Sequence, residues 1–160
     1  IAMGERCLGT AGGQRVKGGA VPNQAAALGA IDPTKNSPIV CMGTLGTGGM
    51  YKAGLTYTAY RGGNLWSAGF PSTVMINTIL PPNGPTCLRV ADGAEHMLVP
   101  PTSWHPGGVM VLWCDGAVSF ISDTVNTGNL ALGSVAVGPS PYGIWGALGS
   151  KDGMESVQAP

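Results

Sequence analysis

The stretch Val109-Met-Val-Leu-Trp-Cys-Asp-Gly-Ala-Val-Ser-Phe-Ile-Ser122 decides the fold. Two runs rich in β-branched and aromatic residues flank Asp115-Gly116, a pair typical of tight hairpin turns. We expect a two-residue type I′ turn, because Asp and Gly tolerate the positive φ angles that it requires. That register puts Val109, Val111, Trp113, Val118 and Phe120 on one face, and Met110, Leu112, Cys114, Ala117, Ser119 and Ile121 on the other. Both faces are then largely apolar, so the hairpin needs a cover on each side.

Weaker signals outside the hairpin complete the fold prediction. The other β-prone runs are residues 1–8, 39–42, 55–61 and 72–80, and the helix candidates are residues 23–31 and 142–148. Glycine clusters and the run Pro81-Pro82-Asn83-Gly84-Pro85 predict loops and a rigid turn. The prediction is an α+β fold that is mainly β: an antiparallel sheet with a C-terminal β-hairpin, glycine-rich loops and few short helices.

Length and composition indicate one domain with little surface charge. We expect a single domain over residues 1–160, because 160 residues suffice for one core. Charged residues are 10% of the chain, against about 25% in an average soluble domain. Eight basic and eight acidic side chains give zero formal net charge, which disfavours nucleic acid and anionic membranes as partners. A surface with so few charges favours self-association, and therefore a subunit of an assembly.

The four cysteines are best explained as disulfides. They are Cys7, Cys41, Cys87 and Cys114, and they form no Cys-x-x-Cys pair of the kind found in zinc ribbons or thioredoxin-like proteins. We expect two bridges, each stabilising the fold by about 2 to 4 kcal/mol, in an oxidising space outside the cytoplasm. Four cysteines allow three connectivities, and the sequence does not choose among them.

The segment before the hairpin carries a family signature. Nine residues separate His105, which is followed by Pro106-Gly107-Gly108, from Asp115-Gly116. This spacing resembles the prepilin-type processing-associated H-X9-DG signature of a type IV pilin-like family, DUF1559. Other matching segments are Gly4-Glu5-Arg6, Leu80 to Cys87, Phe120 to Asp123 and Ala147 to Ser150. The departures from the family pattern are Met110, Ser119 and Met154.

The resemblance implies a pilin-like globular head. Family members begin with a prepilin leader and a long hydrophobic helix, and this sequence contains neither, so we expect the head of a larger precursor. In the family that helix packs on the sheet, which offers a cover for the second face of the hairpin. The implied partners are copies of the chain and other pilin-like subunits, with membrane contact only through the missing N-terminal helix. The implied location is extracellular or at the cell surface.

Metal ligands are few and scattered. The candidates for calcium are Asp92, Asp152 and Glu155, yet no loop of spaced carboxylates resembles an EF-hand. A zinc site would have to combine His96, His105, Cys87 and Cys114, which lack the usual close pairs. We expect no cofactor, with calcium as the alternative. For His105 a hydrogen bond within a turn is favoured over metal binding or base catalysis, and turn chemistry explains Asp115.

The chain is not expected to be an enzyme. It contains no Gly-x-Ser-x-Gly, no Ser-x-x-Lys and no phosphate-binding glycine loop. We expect a structural subunit of an extracellular pilus-like or pseudopilin-like filament or surface assembly. The alternatives are a secreted binding module of the same fold, with carbohydrate as the candidate ligand, and then an enzyme with an unrecognised site. A platform for a sugar ring would be built from Trp104, Trp66 and Tyr60.

Overall fold

A computed structural model describes residues 1–9, 14–22, 37–59, 61–89, 96–151, 153 and 155–156. The strands are β1 (Met3–Gly4), β2 (Val21–Pro22), β3 (Cys87–Leu88), β4 (Met97–Leu98), β5 (Gly108–Leu112) and β6 (Val118–Ser122). The helices are α1 (Ile39–Met42), α2 (Pro71–Val74) and α3 (Gly143–Gly149), with a 3₁₀ turn at Trp66–Ala68. The predicted class, α+β and mainly β with few short helices, is confirmed. The helix predicted at residues 23–31 lies outside the described residues.

The strands form two three-stranded sheets. The first has the order β1-β5-β6 and is antiparallel throughout. In the second, β3 lies between β2, which is parallel to it, and β4, which is antiparallel. The predicted C-terminal hairpin is β5 with β6. The strand predicted within residues 1–8 is the shorter β1, which pairs with β5 so that Met3 faces Leu112.

The hairpin turns through three residues and not through the predicted two. The Trp113 amide donates a hydrogen bond to the Ala117 carbonyl at 2.8 Å, which leaves Cys114, Asp115 and Gly116 in the loop. Gly116 has a φ of 88°, whereas Asp115 has no positive φ, so the predicted type I′ turn is wrong. A left-handed glycine at the last position is typical of three-residue hairpin loops. The Asp115 carboxylate closes the loop by accepting from the Ala117 amide at 2.9 Å.

The longer turn shifts β6 by one residue and exchanges its two faces. Val109 faces Ile121 across the hairpin, so Ile121 lies on the side of Val109 and not on the predicted side of Met110. Val118 and Phe120 are 59% and 46% exposed, while Ile121 is fully buried. The hairpin is therefore buried on one face, and its other face carries apolar side chains that stay accessible.

The buried face of the first sheet packs on α3. The fully or largely buried members of this cluster are Val109, Val111, Ile121, Trp145 and Leu148. The indole of Trp145 donates to the Leu80 carbonyl at 2.8 Å, which satisfies its one polar atom inside the core. Helix α3 confirms the prediction made for residues 142–148. In the described part of the chain, no helix is long and apolar enough to cross a membrane.

A second core is formed by another buried cluster, and a disulfide links two of the elements that meet there. Cys41 in α1 is bonded to Cys87 in β3, with a Cα–Cα distance of 6.1 Å. Both sulfur atoms lie in a cluster with Leu80, Leu98 and Tyr142. The bridge therefore joins a short helix, which could not hold its place alone, to the central strand of the second sheet.

The sequence predicts two bridges, and the structure contains one. Cys7 and Cys114 are both free, the first buried and the second exposed. Continuing the register of Gly4 with Val111 places Cys7 opposite Gly108, six residues from Cys114, or about 20 Å of extended backbone. A disulfide needs a Cα–Cα distance below about 7 Å. The two thiols therefore cannot bond within one chain of this fold.

Two β-prone runs form helices instead of strands. Residues 39–42 form α1, where the bridge and the surrounding core fix the backbone. Helix α2 begins at Pro71, whose fixed φ suits the first turn of a helix, and it includes the first three residues of the run 72–80. The described part of residues 55–61 contains no strand. Tertiary packing overrides the local preference of the β-branched residues in these places.

Candidate functional site

Five polar residues from separate parts of the chain form one hydrogen-bonded group beside the start of β5. They are Glu5, Asn83, Ser103, His105 and Asp123, here called the polar network. Four of the five belong to the segments that resemble the family, and Ser103 lies two residues before His105. The fold thus brings together residues that are up to 118 positions apart in the sequence.

Asn83 is the centre of the polar network. Its side-chain oxygen accepts from the Ser103 amide at 2.8 Å. Its side-chain nitrogen donates to the Asp123 carboxylate at 2.7 Å and to the Gly108 carbonyl at 3.2 Å. Asn83 has a φ of 60°, a left-handed conformation that asparagine adopts more readily than most residues. The Pro-Pro-Asn-Gly-Pro turn therefore positions the side-chain amide of Asn83 so that it forms hydrogen bonds with three segments of the chain.

The side chains of Glu5 and His105 are in direct contact within the polar network. The Nε2 atom of His105 lies 3.3 Å from Oε1 of Glu5, and the Met110 amide donates to Oε2 at 2.7 Å. Burial raises the pKa of Glu5, but the hydrogen bonds from Met110 and Ser103 and the charge of His105 together outweigh it. The pKa of Glu5 is therefore lower than its ordinary 4.5. The ionised carboxylate is the stable form in this setting.

These groups do not form a nucleophilic triad. The Ser103 hydroxyl is hydrogen bonded to Glu5 and also accepts from the His105 backbone amide at 3.2 Å. A serine nucleophile needs its hydroxyl on the imidazole, with the acid on the far side of the ring. In this arrangement the imidazole and the hydroxyl both contact the same carboxylate. The polar network is suited to holding three chain segments together.

The two glycines of the signature are each favoured over other residues, for different structural reasons. Gly107 has a φ of 79°, a conformation that disfavours any side chain. A Cβ atom on Gly108 would overlap the Ile121 carbonyl oxygen and the ring of Phe120. Gly107 also accepts from the Asp123 amide at 2.8 Å, next to the Asn83 contact. Both glycines thus allow the start of β5 to pack closely against the end of β6.

Asp115 and Gly116 lie away from the polar network. They occupy the turn beyond the far end of β5, whereas His105 and Gly107 precede the strand and Gly108 is its first residue. The signature therefore marks the two ends of one strand and not one site. The Asp115 carboxylate accepts a hydrogen bond from the Ala117 amide, and this bond closes the hairpin loop.

Trp104 projects from the polar network into solvent. Its side chain is 64% exposed. The ammonium of Lys17 lies 5.5 Å from the centre of its ring and the guanidinium of Arg15 lies 6.0 Å from it, both within cation–π range. These two cations could not be predicted from the sequence, because nothing in a glycine-rich segment signals that it will fold against position 104. Of the predicted platform, Tyr60 and the side chain of Trp66 lie outside the described residues.

Two cavities meet at Trp104. The smaller, of about 200 Å³, is lined by Arg15, Lys17, Leu45, Gly48, Gly49 and Trp104 among others. The larger and more open one, of about 700 Å³, is lined by Glu5, Arg6, Cys7, Ser103, Trp104 and His105 among others. The indole is thus a wall shared by two adjacent depressions, with the polar network behind it.

Arg6 anchors β1 to the segment around α2. It donates to the carbonyls of Met75 and Ser72 at 3.0 and 3.2 Å. Burial lowers the pKa of Arg6 to about 10, and the guanidinium remains charged at neutral pH. Its role is structural, because its two hydrogen bonds tie the segment after β1 to α2, and its side chain lines the larger cavity.

The structure gives no support to a site for calcium or zinc among the described residues. Asp92 and Asp152 lie outside them, and the Glu155 carboxylate accepts from the Ser140 amide. Cys87 is bonded to Cys41 and cannot act as a thiolate ligand. No group of three or more His, Cys, Asp or Glu side chains comes together in the described part of the chain.

A second feature lies on the outer face of the first sheet. Its apolar side chains come from all three strands and are Met3, Met110, Leu112, Val118 and Phe120. Met3 is 64% exposed, and Val118 and Phe120 are exposed to a similar degree. We call this set the outer sheet face. It is the apolar surface that the shifted register of β6 turns towards solvent.

Comparison with known proteins identifies a family. The family model described as "Protein of unknown function (DUF1559)" matches residues 1–128, which include the polar network, Trp104 and the whole hairpin. No curated protein and no solved structure matches the chain. Helix α3, which covers the inner face of the first sheet, lies beyond the matched residues.

Proposed function

This chain belongs to the family described as "Protein of unknown function (DUF1559)", and we propose that it is a non-catalytic structural subunit of an extracellular pilus-like filament or surface assembly. The observation that carries the proposal is the outer sheet face. A contiguous apolar surface on an ordered sheet is costly to leave in water and typically marks a contact surface. A subunit of an assembly covers such a surface in its working state.

The outer sheet face is a feature of ordered structure and not of a loose loop. Met3 faces Leu112, and Leu112 faces Val118, so the three residues form one row across β1, β5 and β6. Phe120 faces Met110 in the next row. The opposite side of the same strands is buried on α3. The geometry of the exposed rows is therefore fixed before any partner binds.

An apolar helix of the pilin type is the cover that we propose for the outer sheet face. A helix laid across a sheet buries a stripe of side chains against neighbouring strands, which matches two adjacent apolar rows. The family resemblance provides the helix as the expected element. Contact between the remaining surfaces of neighbouring subunits is helped by the small number of charges on the chain.

The disulfide is consistent with the extracellular part of the proposal. Cys41 and Cys87 are fully buried and bonded. Structural bridges persist in oxidising spaces outside the cytoplasm and are rare within it. A subunit exposed outside the cell gains from a covalent link that joins a short helix to a short strand.

Electron microscopy of material purified from the source cells tests the proposal, with an antibody to this chain as the label. We expect labelled fibres or surface arrays in wild-type cells. Cells carrying Val118→Lys with Phe120→Lys should produce folded protein but no labelled fibres, because two charges then lie in the apolar rows. The matched control is Val137→Lys, at an 83% exposed position outside the outer sheet face.

Two results would count against the proposal. One is dispersed, monomeric protein in wild-type cells under every growth condition that expresses the chain. The other is normal fibres in the Val118→Lys, Phe120→Lys cells. Thermal unfolding of each purified variant separates a loss of assembly from a loss of folding.

A second candidate function rests on Trp104. An exposed indole with two cations near its ring is not needed by a filament subunit, and it favours a secreted binding module for carbohydrate. The two functions involve different surfaces and can coexist in one chain.

A further inference from the structure

We propose that the two cavities that meet at Trp104 bind an acidic oligosaccharide, with the indole stacked on one sugar ring and Arg15 and Lys17 paired with a uronate carboxylate. The inference deepens the second candidate function and does not depend on filament formation. It rests on the exposure of Trp104, the two cations at its ring, the fixed backbone beneath it and the excess of basic groups around it.

The backbone that precedes Trp104 is held in place. Before it, Thr102 donates from its amide to the Glu5 carbonyl at 2.9 Å, and its side chain accepts from the Cys7 amide at 2.9 Å. The Ser103 amide is bound by Asn83, and the Ser103 carbonyl accepts from the Lys17 ammonium. Because these hydrogen bonds already fix residues 102 and 103, the exposed indole is carried on a preorganised backbone.

Stacking suits the exposed ring. The flat face of an indole is apolar and electron-rich, and it matches the face of a pyranose ring that is lined by C–H groups. Trp104 lines two adjacent depressions, so a chain of more than one sugar can extend from the stacked ring along either of them. A single buried pocket would instead favour a small isolated ligand.

The charge around the ring selects an anionic sugar. Arg15 is exposed and Lys17 is half-buried, and both lie within 6.0 Å of the ring centre. The Ser103 carbonyl occupies one of the three donors of the Lys17 ammonium. An arginine fork pairs with a carboxylate through two parallel hydrogen bonds, and a neighbouring lysine adds a point charge.

The lining of the two cavities has a net positive charge among the described residues. The basic members are Arg6, Arg15, Lys17 and His105, against the single acid Glu5. The Glu5 carboxylate already accepts hydrogen bonds from the Met110 amide and from the side chains of Ser103 and His105. This local excess contrasts with the zero net charge of the whole chain. An anion is therefore favoured at this surface specifically.

The glycine loop keeps the smaller cavity accessible. Gly48 and Gly49 have φ angles of 62° and 74°, and a Cβ atom on either would meet nothing within 4 Å. Their left-handed backbone holds the loop in a turn beside Arg15, whose backbone pairs with Met50. A ligand can thus approach the guanidinium without displacing a side chain of the loop.

Single-stranded nucleic acid is the competing anionic ligand, because it also combines stacking with cations. Such sites follow a nucleic acid backbone with a groove of positive charge and several rings. The described surface offers one exposed indole and two flanking cations over a short distance. An oligosaccharide with few charges fits this set better than a polyanion.

Isothermal titration of the purified protein tests the inference with three probes: tetragalacturonate, the neutral cellotetraose and a short oligothymidylate. We expect binding of tetragalacturonate at low salt, weaker binding as salt rises, and an affinity at least about tenfold lower for the neutral tetrasaccharide. Trp104→Ala should weaken binding about tenfold or more, and Trp104→Phe should retain part of it. The double variant Arg15→Gln, Lys17→Gln should remove the preference for the acidic sugar.

Phe120→Ala is the matched control, since it removes an exposed aromatic ring that lines neither cavity. Equal affinity for the two tetrasaccharides would overturn the inference while leaving a carbohydrate-binding module in place. A preference for oligothymidylate, or no binding of either sugar at millimolar concentration, would overturn both. Unchanged binding by Trp104→Ala would also overturn the inference, because the sugar would then bind elsewhere.

Discussion

The side-chain amide of Asn83 donates a hydrogen bond to the Asp123 carboxylate at 2.7 Å, across 40 positions of the sequence. The same side chain binds the Ser103 amide and the Gly108 carbonyl. One residue of a proline-rich turn thereby fixes the start of β5, the end of β6 and the segment that presents Trp104. The outer sheet face and the two cavities both depend on this connection.

Replacement of Asn83 by glycine should therefore destabilise the fold. Glycine accepts the φ of 60° without strain, so the variant removes three hydrogen bonds and little else. We expect the free energy of unfolding in urea to fall by about 2 to 4 kcal/mol, since partly buried partners lose their bonds. Asn129→Gly is the control, because its exposed side chain makes only a local bond to Ala131. Equal losses in the two variants would contradict a central role for Asn83.

The existence of the hairpin could be predicted from sequence, but its register could not. Asp-Gly is compatible with a two-residue loop and with the last two positions of a three-residue loop. The choice depends on whether Ile121 or Phe120 faces α3, and this is a matter of packing against Trp145. A difference of one residue in the turn then decides which side chains meet solvent.

The polar network was only partly predictable for a related reason. The signature identified His105, and family segments included Glu5 and Asn83, but no local pattern says that a residue near position 5 will contact one near position 105. Such contacts are set by strand pairing between β1 and β5. The free state of Cys7 and Cys114 follows from the same pairing. Sequence distance carries no information on either point.

Acid should weaken the protein through Glu5, and Glu5→Gln should remove that part of the effect. The pKa of Glu5 is lowered in the folded state from an ordinary 4.5. Its charged form therefore stabilises the fold above that pH, and the contribution is lost as the pH falls through the lower, folded pKa. Urea unfolding should show wild type more stable than Glu5→Gln at neutral pH, with the difference shrinking in acid below about pH 4.5. A difference that stays constant on acidification would contradict this interpretation.

The two free cysteines should differ in reactivity. Burial raises the pKa of the Cys7 thiol, and its side chain is 5% exposed, whereas Cys114 lies exposed in the hairpin loop. A thiol reagent should modify one cysteine in the native protein and a second only after unfolding. Cys114→Ser should abolish the native reaction and Cys7→Ser should leave it unchanged. Intact mass under non-reducing conditions should show the loss of two hydrogen atoms, and a loss of four would show a second bridge.

Removal of the bridge should cost more than any other cysteine change. The bonded residues are separated by 46 positions, and closing a loop of that length restricts the unfolded chain by about 4 kcal/mol. The double variant Cys41→Ser, Cys87→Ser should therefore lose about 2 to 5 kcal/mol of unfolding free energy. It also places two hydroxyls in the apolar cluster with Leu80 and Leu98, so the variant Cys41→Ala, Cys87→Ala separates the loss of the bridge from polar burial. The control is Cys7→Ser with Cys114→Ser, which keeps the bridge and changes as many sulfur atoms. If reduction and both double variants leave unfolding unchanged, the bridge does not support the contact between α1 and β3, and the second core must be held by packing alone.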